Sequence, residues 1–167
     1  MSTIKTIMVP LAFSRHSKSI LAYGARLATA MESDLLLVNI INERDVETVQ
    51  RISSYGYNVD ETHYIEEIQK QRTLELEAML EEIDFPEERI RLMFKIGKPA
   101  NVLLSLSVTE NVDMIVMGVK GQSDLMHGFT GSVAEKLFRR SPVTIVSYRD
   151  DETGKKLKKH IKTVDEN

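Results

Sequence analysis

Short, continuous apolar runs are the feature that most constrains the fold of this chain. Residues 35–38 and 114–117 carry only apolar side chains, and residues 7–11 continue the same pattern. A strand with one wet face alternates apolar and polar residues, whereas a continuous run indicates a strand that is covered on both faces. The sequence therefore predicts a parallel sheet with helices on either side of it.

The segments between these runs carry helical and turn patterns. The predicted strands cover residues 4–11, 34–41, 89–96, 114–117 and 143–148. The predicted helices run to about 31, over 62–83, from 99 to about 111 and over 132–139, and the polar segment 42–62 is expected to be irregular with one helical turn at 46–52. This alternation predicts an α/β fold, a doubly wound five-stranded parallel sheet with order 3-2-1-4-5 and helices on both faces. The switch point then lies between the first and fourth strands, and ligands bind beyond the carboxyl ends there.

Three glycines and a serine surround the loop that leaves the fourth strand. Gly118 ends that strand, Gly121 follows after two residues, and Gly131-Ser132 opens the next predicted helix. A helix start presents free N–H groups and the positive end of a dipole, which both favour a phosphate. The spacing is neither that of a Walker A loop nor that of the dinucleotide fingerprint. It indicates an anion site of another kind, and the alternative is that the glycines serve the turns alone.

The spacing Gly-x2-Gly-x9-Gly-Ser resembles the adenine-nucleotide motif of the universal stress protein family. The similarity extends from Val116-Met117 through Ser123 to residues 132–136, and then to residues 140–146, which are similar to the start of that family's last strand. The resemblance covers residues 3–148. It implies a nucleotide-binding domain over 1–148 and leaves 149–167 as a lysine-rich tail. We expect that tail to be frayed and solvated, and the alternative is a short helix that docks on a partner or an anionic surface.

The resemblance also implies that ATP or AMP lies across the switch point. The glycines would let the backbone cradle the ribose and phosphates, the helix start would donate to the phosphates, and the ends of the first two strands would frame the adenine. Carried over by position, the nucleotide-binding residues are Pro10, Leu11, Ala12, Phe13, Ile40, Met117, Gly118, Gly121, Gly131, Ser132 and Val133.

One position departs from the family pattern. The family usually has an aspartate two residues after the position of Pro10, where it contacts the nucleoside, and this chain has Ala12. A lost hydrogen bond of this kind is worth about 0.5–1.5 kcal/mol, up to about tenfold in affinity. We therefore expect altered or weakened nucleoside selection, with the phosphate end retained.

Catalytic residues are harder to assign. No carboxylate pair is identifiable as acid and base, and fast phosphoryl transfer needs a placed base and cationic clamps. Several candidates lie in the loop between Gly118 and Ser132, here called the glycine loop. The hydroxyls of Ser123, Thr130 and Ser132 are candidates for autophosphorylation, Lys120 and His127 for contact with the phosphates, and Asp124 for holding Mg²⁺. An ordinary loop role is the alternative for each of them. The four histidines lack metal-site spacing. We expect no efficient enzyme, and at most slow ATP hydrolysis or autophosphorylation.

Composition narrows the partners. The net charge is −3, from 22 basic and 25 acidic residues, so the chain as a whole does not attract nucleic acid, and we expect it not to bind nucleic acid. No apolar run approaches the about 18 residues of a membrane span, and the chain has no cysteine. We expect a cytoplasmic protein. The resemblance implies a homodimer through the last strand, which lies at a sheet edge in the predicted order.

The resemblance implies an adenine-nucleotide-binding regulatory protein of the stress response, which signals through nucleotide-dependent conformation and dimerisation to an unidentified protein partner. Two alternatives stay open at this point. One is a slow ATPase or autophosphorylating enzyme, and the other is a protein-interaction module that holds no nucleotide.

Overall fold

The secondary structure alternates strands and helices along most of the chain. The computed structural model describes residues 3–56, 60–118, 132–159 and 161. Its strands are β1 (Thr6–Pro10), β2 (Asp34–Asn42), β3 (Ile90–Gly97), β4 (Met114–Gly118) and β5 (Thr144–Tyr148). Its α-helices are α1 (Ser17–Met31), α2 (Glu43–Ser54), α3 (Glu61–Leu80), α4 (Pro99–Thr109), α5 (Ser132–Arg140) and α6 (Asp151–Lys158), and a 3-10 turn, Glu87–Arg89, precedes β3.

The five strands form one parallel sheet in the order β3-β2-β1-β4-β5. This confirms the predicted fold class and strand order. The continuous apolar runs have the predicted cause, because the side chains of β1, β2 and β4 are covered from both faces. Leu35 and Leu37 belong to one buried cluster, while Leu36 and Val38 belong to the other.

Each face of the sheet carries its own helical layer. Helix α1 and the end of α3 pack against the first cluster through Ile20, Leu21, Ala25, Ala28, Leu76 and Met79. Helices α4 and α5 pack against the second through Leu103, Leu106, Ala134 and Leu137. The sheet therefore has helices on both faces, as the alternation predicted, and its carboxyl edge is where the functional site was expected.

The prediction of an irregular segment over 42–62 was wrong, because residues 43–54 form the helix α2. Asn42 caps it, since its side chain accepts a hydrogen bond from the amide of Arg44 at 3.2 Å. Val46 and Val49 are its buried residues, and they lie three apart on one face. The helix has few apolar residues, so the helical period is weak in the sequence. Packing against β2 and β3 stabilises the helix instead.

The prediction of a frayed tail was wrong for residues 151–158, which form the helix α6. Asp150 caps this helix, because its Oδ1 accepts a hydrogen bond from the amide of Thr153 at 2.7 Å. Acidic residues stand in its first turn and lysines in its last, which complements the helix dipole. These capping and dipole effects explain why a strongly charged segment is helical at this position.

Candidate functional site

The candidate site is the crevice at the carboxyl edge of the sheet, between β1 and β4. These strands are neighbours, with Ile7 opposite Met114 and Met8 opposite Ile115. The chain leaves β1 toward β2 on one side and reaches β4 and β5 on the other, so the topology reverses here. Pro10 and Gly118 end the two strands and are both partly exposed. The two strand ends thus flank the opening that a doubly wound sheet offers to a ligand.

The loop after β1 turns sharply. Leu11 continues the strand direction, since its amide donates to the carbonyl of Val38 at 2.8 Å, and its side chain is buried. Phe13 has φ of 50°, a left-handed conformation that non-glycine residues rarely adopt. Its ring packs against the first apolar cluster, whereas Ala12 is exposed. The turn therefore directs Phe13 inward, and such local strain is often found at binding sites.

Three of the residues carried over from the family pack around one cluster beneath the crevice. Met117 is a buried member of the second cluster, and Ile40 and Val133 are partly buried against it. They come from the end of β2, the end of β4 and the first turn of α5. The structure thus brings the predicted adenine-side residue Ile40 and the predicted phosphate-side residue Val133 to the same layer of the fold.

The glycine loop itself is not described by the structure. Gly121 and Gly131 lie outside the described residues, as do Lys120, Ser123, Asp124, His127 and Thr130. Ser132 begins α5, and nothing is described of its side chain. Their predicted roles remain predictions. Elsewhere in the described chain, no group of three or more His, Cys, Asp or Glu side chains could hold a metal ion.

A buried amide that the sequence analysis missed ties three segments together at the crevice. Asn39 of β2 is only 2% exposed. Its Nδ2 donates to the carbonyl of Leu11 at 2.7 Å, and its Oδ1 accepts from the Nη1 of Arg72 in α3. The link therefore connects the loop after β1, the end of β2 and the middle of α3. Since buried polar groups must be paired, it fixes the position of this loop.

Arg72 is partly buried beside this loop. Its guanidinium carbon lies 5.8 Å from the centroid of the Phe13 ring, within the range of a cation–π contact. Burial lowers the pKa of Arg72, and the electrostatic effects of Tyr64, Asp45 and Glu75 act in the opposite direction. The sequence did carry a signal: Arg72 precedes the buried Leu76 by one helical turn, so it stands on the apolar stripe of α3.

A second polar link joins the start of α1 to the end of β5. The Nδ1 of His16 lies 2.8 Å from the Oδ2 of Asp150, the residue that caps α6. The pKa of Asp150 is lowered to about 2, first by the side-chain and backbone hydrogen bonds of Thr153 and then by His16. Tyr23 and Tyr148 stack nearby along the same two elements, with ring centroids 4.6 Å apart. These contacts hold the edge strand β5 and the start of α6 against α1.

Comparison with known sequences gives a family match over most of the chain. A family model described as the universal stress protein family matches residues 3–149. A curated relative, the universal stress protein MJ0577 of Methanocaldococcus jannaschii, is 25% identical over 156 residues, which cover 87% of this chain and 96% of the relative. Among the described helices, none is long and apolar enough to cross a membrane.

Solved structures share the fold. The structure of MJ0577 has a TM-score of 0.69 at 22% identity and covers 90% of this chain and 100% of its own. The universal stress protein UspA from Lactobacillus plantarum has a TM-score of 0.64 at 14% identity, covering 89% and 100%. A universal stress protein solved in complex with cAMP has a TM-score of 0.60 at 18% identity, covering 89% and 98%.

Proposed function

Because the chain belongs to the universal stress protein family, we propose that it is a regulatory protein of the stress response that binds an adenine nucleotide, ATP or AMP, in the crevice between β1 and β4. Its proposed compartment is the cytoplasm. Nucleotide occupancy would set the conformation of the loop after β4, and through it the surface that a partner meets. Regulation of this kind needs binding alone, so the proposal requires no turnover of the nucleotide.

One observation carries this proposal: the crevice has a glycine-ended strand on one side and an apolar-lined loop on the other. Gly118 ends β4, and α5 begins at Ser132, so the helix start follows this strand along the chain. The loop after β1 and Ile40 of β2 lie on the other side. A nucleotide across the crevice would place its phosphates over the start of α5 and its base against the ends of β1 and β2.

The comparisons support the class of ligand. A protein with the same fold was solved in complex with cAMP, which is itself an adenine nucleotide. The phosphates of the ligand of this chain are proposed to be held by the turn residues Gly118, Gly121, Gly131, Ser132 and Val133. The nucleoside is proposed to lie against Pro10, Leu11, Ala12, Phe13, Ile40 and Met117. Ala12 offers no carboxylate to the nucleoside, so the affinity for the nucleoside end is expected to be lower than with an aspartate there.

Calorimetric titration of the purified protein with ATP, AMP and inorganic phosphate tests this function. We expect both nucleotides to bind more tightly than phosphate, because the base adds apolar contact to the phosphate contacts. Ala12→Asp returns a carboxylate to an exposed turn position and should tighten AMP by up to about tenfold. Phosphate binding as tightly as ATP would contradict an adenosine pocket.

Two further readouts separate the alternatives in the same samples. Hydrogen exchange should slow in residues 119–131 when ATP is added, because the proposed ligand contacts them. Release of labelled γ-phosphate, or its appearance on Ser or Thr, would favour the alternative of a slow ATPase or autophosphorylating enzyme. Failure of every nucleotide to bind would favour an interaction module.

A homodimer through β5 is the second part of the proposal. β5 forms one edge of the sheet, so one row of its backbone N–H and C=O groups is unpaired within the described chain. Its side chains are mostly partly buried, although Thr144 is exposed. An edge strand of this kind can pair with its copy around a two-fold axis, which makes an isologous interface.

Sedimentation velocity at micromolar concentration tests the dimer. We expect the wild-type protein to sediment as a dimer and Thr144→Lys to shift it toward monomer, because a lysine on an edge strand disfavours pairing with another strand. Thr109→Lys, at an exposed position at the end of α4, is the control and should leave the dimer intact. A wild-type protein that stays monomeric, or a control that dissociates equally, would contradict this interface.

A further inference from the structure

The guanidinium of Arg72 lies beside the loop after β1, and the described residues give it no carboxylate partner. Its hydrogen bond within the described chain goes to the neutral amide of Asn39, and no carboxylate oxygen of the described residues lies within 4.0 Å of it. A guanidinium has five N–H donors, so most of its donor capacity is unused by the described residues. Burial lowers its pKa, and a nearby anion would stabilise its charged form. This combination is suited to an anionic group of a ligand.

The position of Arg72 indicates which part of a nucleotide would meet it. Through Asn39 and Phe13 it is fixed on the side of β1 that faces β2. The proposed phosphate site follows β4 at the start of α5, on the other side of β1. The 5′-phosphates would therefore lie across β1 from Arg72, and the nucleoside end of the ligand would lie next to it.

Ala12 stands in the same loop as Phe13, the residue on which Arg72 lies. At this loop a bound ribose would therefore meet the methyl group of Ala12 in place of a carboxylate, and the cation of Arg72 lies beside the loop. In dinucleotide-binding folds, an acidic residue binds an unmodified ribose hydroxyl, whereas a nearby arginine accommodates a ribose phosphate. Bidentate geometry makes arginine especially suited to phosphate.

We propose that Arg72 is a specificity-determining residue that selects an adenine nucleotide with a phosphate on its ribose, at the 2′ or 3′ position, in addition to the 5′-phosphate. This inference rests on the proposed function, because it concerns the nucleoside end of the same site. Arg72 provides the positive charge, and Asn39 and Phe13 hold its guanidinium in place. Because residue 12 is an alanine, no carboxylate at that position repels a phosphate on the ribose.

The first test compares ligands on the wild-type protein. Calorimetry with AMP, adenosine 2′,5′-bisphosphate and adenosine 3′,5′-bisphosphate should show one bisphosphate binding about tenfold more tightly than AMP, the size of one charge-assisted contact. AMP and both bisphosphates binding equally would overturn this inference and leave the proposed function standing. If none of the three, nor ATP, binds, the proposed function fails and the inference fails with it.

The second test assigns the preference to Arg72. Arg72→Gln keeps a donor for Asn39 but removes the charge, so the ratio of bisphosphate to AMP affinity should fall to about one. Arg26→Gln is the matched control, because Arg26 also lies 5.8 Å from an aromatic centroid, that of Tyr23, but is exposed on α1. It should keep the wild-type ratio. A preference that persists in Arg72→Gln, or that is lost equally in Arg26→Gln, would overturn the assignment.

Discussion

Asn39→Leu is expected to lower the free energy of unfolding by about 2–4 kcal/mol, although the leucine side chain has the same number of heavy atoms and the same branching as that of asparagine. The substitution leaves the buried carbonyl of Leu11 without its donor and removes the acceptor of Arg72. An unsatisfied buried polar group costs about 1–3 kcal/mol, and a partly buried charge adds to that. For a chain of this size the midpoint of thermal unfolding should fall by roughly 5–15 °C, which circular dichroism measures.

A double-mutant cycle identifies the link as the cause. Arg72→Met leaves one buried group unpaired, the Oδ1 of Asn39, whereas Asn39→Leu leaves both the carbonyl of Leu11 and the guanidinium of Arg72 unpaired. Arg72→Met should therefore cost less than Asn39→Leu. When both are combined, Asn39→Leu no longer deprives a guanidinium of its partner. The double variant should therefore be more stable than the sum of the single effects by about 1–2 kcal/mol. Additive effects would show that Asn39 and Arg72 do not act as a pair.

Gly24→Ala is expected to destabilise the protein by about 1–3 kcal/mol, even though alanine has a helix propensity better by about 1 kcal/mol. A Cβ at position 24 would lie 2.7 Å from the Cγ2 of Val9, and both residues are buried. Val9 is β-branched and belongs to the central strand β1, so it has little freedom to move away. Chemical denaturation followed by circular dichroism measures the loss.

Gly154→Ala is the matched control for this close approach. Gly154 is also a helical glycine, in α6, but an added Cβ would meet nothing within 4 Å. The same substitution should therefore be neutral or stabilise by up to about 1 kcal/mol. Equal effects at the two positions would show that contact with Val9 does not decide the cost at Gly24.

Much of the architecture could be predicted because it is encoded in local patterns. The continuous run Leu35–Val38 predicted burial on both faces, and the structure divides its side chains between the two apolar clusters. Alternation of strands with helices limited the possible topologies, and the right-handedness of the crossovers reduced them to the predicted strand order. Helices α2 and α6 were not predicted, because caps and packing stabilise them and few apolar residues recur in them at helical spacing.

The candidate site was predictable only where its residues end a strand. Pro10, Ile40 and Gly118 could be placed at the carboxyl edge because they follow apolar runs, and the structure puts all three there. Their roles in binding remain predictions. Asn39 and Arg72 were missed because each reads as a polar exception within an apolar stripe, and a local pattern does not say what such a residue pairs with.

The sequence by itself determined the parallel sheet, its strand order and the crevice that the order creates, since periodicity and chain connectivity are local properties. Only the tertiary structure decided that Leu11, Asn39 and Arg72 meet there. They lie 28 and 33 residues apart along the chain, and their contact depends on how α3 lies over the sheet. A buried amide must find partners wherever packing brings them, so the fold decides which residues these are.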